Sequence, residues 1–557
     1  CRPPVPDARA GLRGRLRVGL VSAPGGPAAP GGSGSPASSE GTGSPASPGG
    51  TAPRVPAGSA ERLADLRADL RGAGYTTERL TEVLGPLASA ALHRDQVLPV
   101  RRALAATDDP VSPLVRLLVL GEAVPADELA AALPRTGVEG LLALGLAVTV
   151  EEGPDDEARH RLRGTCDVRP YGDDRHTWWV VSDLSELALG EALPTDHVLG
   201  IGGASTTLAS WTPRPRVARA LDLGTGCGVQ ALHLTTHAER VVATDVSVRA
   251  LGYARFTARL NGLELDLRAG SLLDPVEGEA FDLVVSNPPF VITPRRPGVP
   301  VYEYRDGGAP GDAIVAGLVR DLGSVLAPGG IGQLLGNWEL REGEAWTDHV
   351  GAWLRDTGVD AWVIQREVQD VAEYAETWVR DGGHRPGTAA FDTLYAAWLD
   401  DFATRGIERV GFGVITLQRP TTGRVPFRDL EELRGPVEQP VGPAILAGLR
   451  ARTWLAEHTE TDLLDTAWSV APDVTEERVG RPGAPDPMVI QLRQGGGLRR
   501  TVRLDTVGAG LVGASDGELS AAQVLRGMAV LTEQPVDDLV AQVLPTLRAL
   551  VADGMLR

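Results

Sequence analysis

The chain has 557 residues, of which 43% are hydrophobic, and a formal net charge of -19 at pH 7. A chain of this length is too long for one hydrophobic core, so we expect about two to four domains. The absence of an apolar run of membrane-spanning length predicts a soluble protein. The chain contains no lysine, which excludes a P-loop lysine and a Schiff base, and its acidity argues against a protein that coats nucleic acid.

The few cysteines and histidines give no sign of a metal centre. Only three cysteines occur, at no paired spacing, so neither a disulfide framework nor a zinc cluster is predicted. His233 and His237 stand four apart, but a zinc protease would need Glu where Leu234 stands. No secretory signal is recognised, so the cytoplasm is the predicted compartment, and the arginine-only composition suggests a GC-rich bacterial source.

The N-terminal part divides into two regions. Residues 1–58 are rich in Gly, Pro, Ser and Ala and predict a disordered tail, because they cannot bury enough apolar surface to offset the entropy of ordering. Residues 59–198 show helical periodicity followed by a hairpin, which predicts a helical, winged-helix-like domain. Because alternate strand residues face opposite sides, we expect one of Trp178 and Trp179 to be buried and the other to lie on the surface.

Residues 199–420 alternate strand and helix, which predicts an α/β domain with a Rossmann-like, mostly parallel seven-stranded sheet. The predicted strands are ARALDLG, RVVATDV, LDLRAG, FDLVVSN, GGIGQLLGN, DAWVIQRE and RVGFGVITLQ. An insertion at 369–406 precedes the last strand and is either a substrate-side lid or a packing helix pair. Residues 421–557 predict an α+β appendage that ends in a second winged-helix-like unit.

The first strand of this domain runs directly into the loop DLGTGCG. Gly224, Gly226 and Gly228 allow a tight turn and a close approach of backbone N–H groups to a ligand. Asp245 ends the next strand, where a carboxylate accepts hydrogen bonds from ribose hydroxyls. Asp222 would repel a pyrophosphate but suits an ammonium or a sulfonium, so the pattern predicts S-adenosylmethionine rather than NAD.

The third strand leads into RAGSLLDPVEG, the next candidate cofactor contact. Groups at Ser271, Leu272 and Asp274 are placed to meet an adenine ring. Asp274 is equally well placed to cap or terminate a turn, so its role stays open here.

The fourth strand ends in SNPPF. Proline stiffens its neighbourhood and donates no hydrogen bond, so the turn holds the Asn287 side-chain oxygen and the Pro288 carbonyl as fixed acceptors. Two acceptors aimed at one NH2 group suit a planar amide or aromatic amine, and Phe290 would stack on it. Pro289 completes the motif. This is catalysis by positioning and preorganised electrostatics rather than by a base.

Over about residues 200–345 the sequence resembles class I methyltransferases that modify planar nitrogens through an (N/D)PP(Y/F) motif. That group includes release-factor glutamine methyltransferases, small-subunit rRNA guanine methyltransferases and adenine exocyclic-amine methyltransferases. The resemblance implies that the three glycines hold the methionine moiety, that Asp245 holds the ribose, and that residues 287–290 grip the target.

Differences between this sequence and that group affect the prediction of the methyl acceptor. Phe290 is usual in the rRNA guanine enzymes, whereas the glutamine enzymes usually carry Tyr. The segment VYEYRDGGAPGDAIV is similar to one that follows the motif in glutamine methyltransferases, with Tyr304 in place of a proline. We expect a macromolecular acceptor, preferably a protein glutamine, with an rRNA or DNA base amine as the alternative. A binding module without catalysis and a DNA-binding regulator are the other function classes.

Overall fold

The computed structural model describes residues 54–94, 96–150, 160–189, 193–483 and 486–557. Most of the predicted disordered tail, residues 1–58, lies outside this part of the chain. Its last residues pack against the N-terminal region, where the N–H of Ala57 donates to the carbonyl of Leu144 at 3.0 Å. Within the described ranges, no helix combines the length and apolar character that a membrane crossing needs.

The N-terminal region packs helices and short strands around a core of Leu and Val side chains. Its helices are α1 (Ala60–Gly72), α2 (Thr77–Leu92), α3 (Val97–Ala105), α4 (Val111–Leu118), α5 (Ala126–Ala132), α6 (Gly137–Leu144) and α7 (Glu186–Leu189). Its strands are β1 (Ala123–Pro125), β2 (Ala147–Val150), β3 (Arg161–Gly164), β4 (Asp167–Gly172) and β5 (Thr177–Ser182). Strands β1, β3 and β2 form an antiparallel sheet in that order, and β4 pairs with β5 as a hairpin.

The β4–β5 hairpin is covered on both faces. Trp178 and Trp179 are only 6% and 4% exposed, so the prediction that one of them lies on the surface is wrong. The indole N–H of Trp179 donates to the carbonyl of Tyr75 in the N-terminal region at 2.9 Å. The Trp178 ring meets His233 of the following domain at 5.1 Å. The hairpin therefore packs between two domains. Both faces of β5 are buried, so buried and exposed residues do not alternate along it.

The central domain is built on one large sheet. Its strands are β6 (Val217–Leu223), β7 (Ala238–Asp245), β8 (Asp266–Ala269), β9 (Phe281–Ser286), β10 (Leu326–Arg341), β11 (Asp360–Asp370), β12 (Ile407–Gln418) and β13 (Arg428–Glu432). The order across the sheet is β13–β11–β12–β10–β9–β6–β7–β8. Strand β12 runs antiparallel to both neighbours, and the other pairs are parallel. All seven runs predicted as strands lie in this sheet.

The prediction of a seven-stranded sheet is nevertheless wrong, because eight strands of the described residues take part. The additional strand, β13, comes from the segment after residue 420 and pairs with the edge of β11. Its sequence, RDLEE, has no apolar alternation that would predict a strand. Its pairing is supported by the indole N–H of Trp362, which donates to Glu431 at 2.7 Å.

Helices cover both faces of the sheet, as predicted. Further helices of this domain are α8 (Gly203–Trp211), α9 (Val229–Leu234), α10 (Val248–Leu260), α11 (Ala313–Asp321), α12 (Trp346–Trp353), α13 (Val371–Asp381) and α14 (Ala389–Arg405). Adjacent residues of β9 point to opposite cores: Val284 packs into one, and Leu283 and Val285 into the other. Burial on both faces explains why these strands read as continuous apolar runs.

The C-terminal region combines helices with a three-stranded antiparallel sheet, β14–β15–β16. Its elements are α15 (Gly442–Glu457), α16 (Glu460–Asp465), β14 (Val474–Val479), β15 (Val489–Gln494), β16 (Thr501–Leu504), α17 (Thr506–Gly513), α18 (Ala521–Thr532) and α19 (Val536–Ala552). Leucine and valine side chains from α17, α18 and α19 form a separate core.

The last three helices are arranged similarly to α4, α5 and α6. Antiparallel bridges join Ser469 to Asp516, which follows α17, and Val470 to Leu556, which follows α19. In the N-terminal region β3 is likewise the middle strand of its sheet. It lies between β1, which follows α4, and β2, which follows α6. The middle strand of the C-terminal unit comes from upstream of its helices, so the similarity is one of arrangement and not of chain order.

Candidate active site

The predicted site residues gather at one edge of the sheet. Strands β6, β7, β8 and β9 are parallel, and their last residues are neighbours: Leu223 pairs with Thr244 and Ser286, and Asp245 pairs with Ala269. The segments that follow these strands are the glycine loop, the Asp245 turn, the 270–274 loop and the asparagine motif. Ligands of open α/β sheets bind at such a carboxyl edge.

The glycine loop adopts a backbone that only glycine enters without strain. Gly224, Gly226 and Gly228 have φ angles of 75°, 56° and 94°. A Cβ added at Gly228 would be in ordinary van der Waals contact with Ala254 at 3.5 Å, whereas one added at Gly226 would meet no atom of the described residues within 4 Å. The surface at Gly226 is therefore open to a ligand.

Asp222 lies beneath this loop and not on its surface. Its side chain is fully buried, and one carboxylate oxygen accepts from the Thr225 hydroxyl at 2.6 Å and from the N–H of Ala231 at 2.9 Å. The other oxygen, Oδ1, is buried without a hydrogen-bond partner among the described residues. Asp222 thus holds the loop against helix α9, and its predicted direct contact with a cofactor stays a prediction.

Burial raises the pKa of Asp222 to about 7, against about 3.9 in an unfolded chain. The folded state therefore holds the proton more tightly, and this stabilisation is present below pH 4 and lost as the pH rises towards 7. We expect the free energy of unfolding of the wild type, relative to Asp222→Asn, to fall by a few kcal/mol across this range, since one pKa unit is worth about 1.4 kcal/mol.

Urea unfolding of both ligand-free proteins between pH 4 and 8 measures this difference. The other buried acids are common to both proteins and cancel. Parallel stability profiles would contradict the burial of an ionisable carboxylate at this position.

Asp245 also binds the glycine loop. Its carboxylate accepts from the N–H of Gly226 at 2.8 Å and from that of Ser247 at 2.9 Å. Burial raises its pKa, and the negative charge of Glu303 raises it further. The N–H of Glu303 donates to the carbonyl of Thr195 at 2.9 Å, which holds the backbone of this second acid. Two acids whose charges act on each other favour a ligand with positive charge.

The 270–274 loop lies next to Asp245, because the N–H of Gly270 donates to the Asp245 carbonyl at 3.1 Å. Leu272 is 38% exposed and has a φ of 44°. A positive φ is an unusual backbone conformation for a branched side chain. Ser271 is exposed, and its carbonyl accepts from the N–H of Asp274, which begins a short 3-10 helix. Contact of these residues with a cofactor stays a prediction.

Asn287 carries a buried polar atom that no described residue satisfies. Its side-chain Oδ1 is buried and has no hydrogen-bond partner among the described residues. A buried acceptor without a hydrogen bond destabilises the fold by about 1–3 kcal/mol. A Cβ added at Gly224 would lie 4.0 Å from the Asn287 carbonyl, so the motif and the glycine loop are neighbours. Pro288 is buried and Pro289 half-buried, which keeps the turn stiff.

The chain after the motif folds back on itself. Phe290 forms an antiparallel bridge with Asp306, and the N–H of Val291 donates to the Arg305 carbonyl at 3.0 Å. The Asp306 carboxylate, which is buried and whose pKa is raised by that burial, accepts from the N–H of Tyr302 at 2.8 Å. The YEYRD segment that the sequence singled out is therefore the return half of the loop of residues 287–306, called the target loop below.

Tyr374, on helix α13 of the insertion, is a positioning residue that sequence reasoning missed. Its hydroxyl is fully buried and accepts from the N–H of Ile292 at 2.9 Å and from the Asn337 side chain at 3.0 Å. Only its place in an aromatic-rich helix marks it in the sequence. The α13–α14 pair shares a core with Val291 and Ile292, so the insertion forms the back wall of the target loop.

Replacing Tyr374 with phenylalanine should slow the reaction without weakening cofactor binding. The change leaves the buried N–H of Ile292 without an acceptor, at a cost of about 1–3 kcal/mol, and loosens the loop that carries Asn287. We expect kcat to fall about tenfold, with the affinity for S-adenosylhomocysteine unchanged. Tyr395→Phe, on the neighbouring helix α14, is the matched control, and an equal loss in both variants would refute the positioning role.

His233 lies on helix α9, whereas His237 follows that helix and its Nδ1 lies 2.9 Å from the Pro215 carbonyl. His233 is buried, its Nε2 lies 2.7 Å from the Tyr171 hydroxyl, and its pKa is lowered to about 3, chiefly by burial. The described residues contain no group of three or more side chains arranged to hold a metal ion.

The family model described as "Methyltransferase small domain" matches residues 200–296, which span the glycine loop, Asp245 and the asparagine motif. The chain carries a methyltransferase domain. The prediction of a methyltransferase is thereby confirmed at the level of this domain. Two models for domains of unknown function match residues 72–160 and 447–557, on either side of the methyltransferase domain.

Proteins of two kinds are among the relatives of this chain. A release factor glutamine methyltransferase of Deinococcus radiodurans is 38% identical over 124 residues, which are 20% of this chain and 43% of that protein. A ribosomal RNA small subunit methyltransferase C of an Enterobacter species is 39% identical over 90 residues, 16% of this chain and 26% of that protein. The chain thus spans less than half the length of these curated relatives.

A solved structure of a T. thermophilus 16S rRNA N2 G1207 methyltransferase, in complex with AdoMet and guanosine, is also similar. It is 16% identical, and the match covers 48% of this chain and 67% of that one with a TM-score of 0.24. A score this low supports no inference about the acceptor.

Proposed function

We propose that this protein transfers the methyl group of S-adenosylmethionine to a planar nitrogen, and that the acceptor is the side-chain amide of a protein glutamine. The observation that carries the proposal is the Asn287 oxygen, buried and unpartnered among the described residues at the carboxyl edge of the sheet. An NH2 group is the natural occupant, because it donates the hydrogen bond that this oxygen lacks.

The cofactor side fits a donor that carries positive charge. Asp245 and Glu303 provide negative charge, the glycine loop is open at Gly226, and the buried Oδ1 of Asp222 is unsatisfied in the described structure. S-adenosylmethionine supplies, when bound, a methyl group on a positively charged sulfur. In this assignment Asp245 holds the ribose, and residues 224–228 meet the methionine moiety.

Asn287 and the Pro288 carbonyl orient the acceptor. Their two oxygens accept hydrogen bonds from both N–H groups of the acceptor, which directs the nitrogen lone pair towards the methyl carbon. The nitrogen gains the methyl group as the sulfur–carbon bond breaks, and it releases one proton to solvent. Phe290, half-buried and edge-on to Trp378 with a centroid distance of 6.4 Å, offers its exposed part to the flat face of the acceptor.

The flanking domains favour a protein acceptor over a nucleic acid. The order α4–β1–α5–α6–β2–β3 supports a winged-helix-like N-terminal unit, in which α6 would be the helix that enters a DNA groove. That helix, GVEGLLAL, contains no arginine, and its single charged residue, Glu139, pairs with Arg62 at 3.3 Å. The chain before α1 also contacts its C-terminal end, where the N–H of Ala57 donates to the carbonyl of Leu144 at 3.0 Å. A helix whose one charge is negative offers no favourable contact to a phosphate.

The C-terminal unit leads to the same choice. Helix α19, which corresponds in arrangement to α6, carries Asp537 and Asp538 in its first turn, and their charges would repel phosphate. A base amine of rRNA remains the second candidate, because Phe290 is the motif residue of that group and an rRNA methyltransferase is among the relatives.

Labelling with tritiated S-adenosylmethionine tests the proposal. The protein is incubated with lysate of a strain that lacks it, and the product is divided between protease and nuclease. We expect label that protease converts to small peptides containing N-methylglutamine. Label that survives protease and is released by nuclease as a methylated base would transfer the proposal to rRNA or DNA. No label above that of the Asn287→Ala protein would refute methyl transfer.

A further inference from the structure

A cavity lies in the C-terminal region, far along the chain from the methyltransferase motifs. Its volume is about 850 Å³, and its lining comes mainly from helix α15, the β15–β16 turn and the chain around the end of α19. Pockets that hold small organic molecules are of about 300–1,000 Å³. The cavity therefore has the size of a ligand site, and nothing in the proposed methyl transfer uses it.

Helix α15 provides the space. Ala444, Ala447, Gly448 and Ala451 line the cavity at steps of three and four residues, so they share one face of the helix. Small side chains along that face leave room that larger ones would fill. The β15–β16 turn packs closely on the same face, because a Cβ added at Gly497 would lie 2.7 Å from the Cβ of Ala444.

Two tryptophans form the aromatic part of the wall. Trp454 of α15 and Trp468 meet nearly at right angles, with ring centroids 5.2 Å apart. The indole N–H of Trp468 is satisfied within the protein, since it donates to the Leu463 carbonyl at 2.9 Å. Aromatic rings gain from edge-to-face and stacked contacts with other rings, so this wall favours a ligand with an aromatic body.

Both acids of the lining are paired with arginines of the lining. Arg500 lies 3.1 Å from Asp553, and Arg557 lies 3.4 Å from Asp473. The Asp473 carboxylate also accepts from the N–H of Gly496 at 3.1 Å. The negative charge of these acids is therefore balanced where they stand.

Arg450 is the remaining charged residue of the lining. Its side chain is exposed, and in the described part of the chain its guanidinium has no ion pair and no hydrogen bond. It follows Ala447 by three residues and precedes Trp454 by four, so the three side chains leave neighbouring positions of the α15 surface. In a chain with a net charge of -19, the one unpaired charge at this cavity is thus positive. A free guanidinium is a strong partner for a carboxylate or another anionic group.

We propose that this cavity binds a small aromatic compound that carries a negatively charged group. The ring contacts Trp454 and Trp468 in the space that the small side chains of α15 leave. Because Arg450 is exposed, it pairs with the anionic group at the opening of the cavity. The site is separate from methyl transfer and gives the C-terminal domain a ligand-binding function.

Fluorine NMR on the full chain tests the charge requirement, with a fluorinated naphthoate and the neutral naphthamide of the same ring as probes. We expect the naphthoate to bind about tenfold more tightly, the worth of one hydrogen bond between charged groups. In Arg450→Gln the two probes should bind equally. Arg526→Gln, which changes an exposed arginine of α18 outside the lining, should keep the preference. Thermal unfolding of each variant checks that the chain is folded.

Filling the cavity gives a test that does not depend on Arg450. Ala447→Trp should abolish binding of the naphthoate, whereas Ala541→Trp, on the exposed face of helix α19 and outside the lining, should leave it unchanged. Four results would each overturn the proposal: binding that survives in Ala447→Trp, equal affinity of both probes for the wild type, a preference that persists in Arg450→Gln, or no binding of the naphthoate.

Discussion

Replacing Asn287 with alanine is expected to lower methyl transfer by at least about a hundredfold, which is what the loss of one preorganised polar contact to a reacting group costs. The Asn287 oxygen has no hydrogen-bond partner in the described structure. Its removal therefore breaks no internal contact of that atom and should leave the fold intact. Affinity for S-adenosylhomocysteine should stay nearly unchanged, since the acceptor grip and the cofactor loop use different atoms.

Single-turnover kinetics and calorimetry on the same protein measure the two quantities. Asn287→Asp is the matched variant, because aspartate keeps an oxygen at this position and also occurs in the motif of the group. It should retain more activity than Asn287→Ala. A turnover for Asn287→Ala within about tenfold of the wild type would mean that the asparagine does not hold the acceptor.

Replacing Asp245 with alanine is expected to weaken S-adenosylhomocysteine binding by more than about tenfold, equivalent to about 1.4 kcal/mol. The variant loses the proposed bonds to the ribose hydroxyls. It also frees the N–H of Gly226, which now donates to Asp245 at 2.8 Å, so the glycine loop loses one of its fixed points. Hydrogen bonds to a charged group are worth about 1.5–3 kcal/mol each, so a tenfold loss is a lower bound.

Titration calorimetry measures this change, and the wild type should show no binding of NAD in the same experiment. Asp266→Ala is the control, because this carboxylate lies on the neighbouring strand β8, is exposed and pairs with Arg268 at 2.7 Å. It should bind S-adenosylhomocysteine as the wild type does. Unchanged affinity in Asp245→Ala would show that another acid holds the ribose.

The two results separate the halves of the site. A cofactor defect in Asp245→Ala with a pure turnover defect in Asn287→Ala is the pattern of a methyltransferase with distinct donor and acceptor subsites.

Much of the central domain could be predicted because its information is local. Six of the seven predicted strands contain a short apolar run, and burial on both faces of a sheet requires that pattern whatever the partner strand is. The edge strand β8 is the exception, since its residues are exposed or half-buried. The glycine loop could be located because positive φ angles at residues 224, 226 and 228 select glycine. Parallel strands then bring residues 222–228, 245 and 287–290 to one edge without further information.

What only the tertiary structure decided depends on contacts between distant segments. The sequence placed Asp222 at the end of a strand, but its burial beneath the loop follows from packing against helix α9. Strand β13 pairs because β11 offers an open edge, and Tyr374 positions the target loop from a helix about eighty residues away. Such roles depend on which surfaces pack together in three dimensions. Hydrophobic periodicity and motif spacing report local structure and do not predict those contacts.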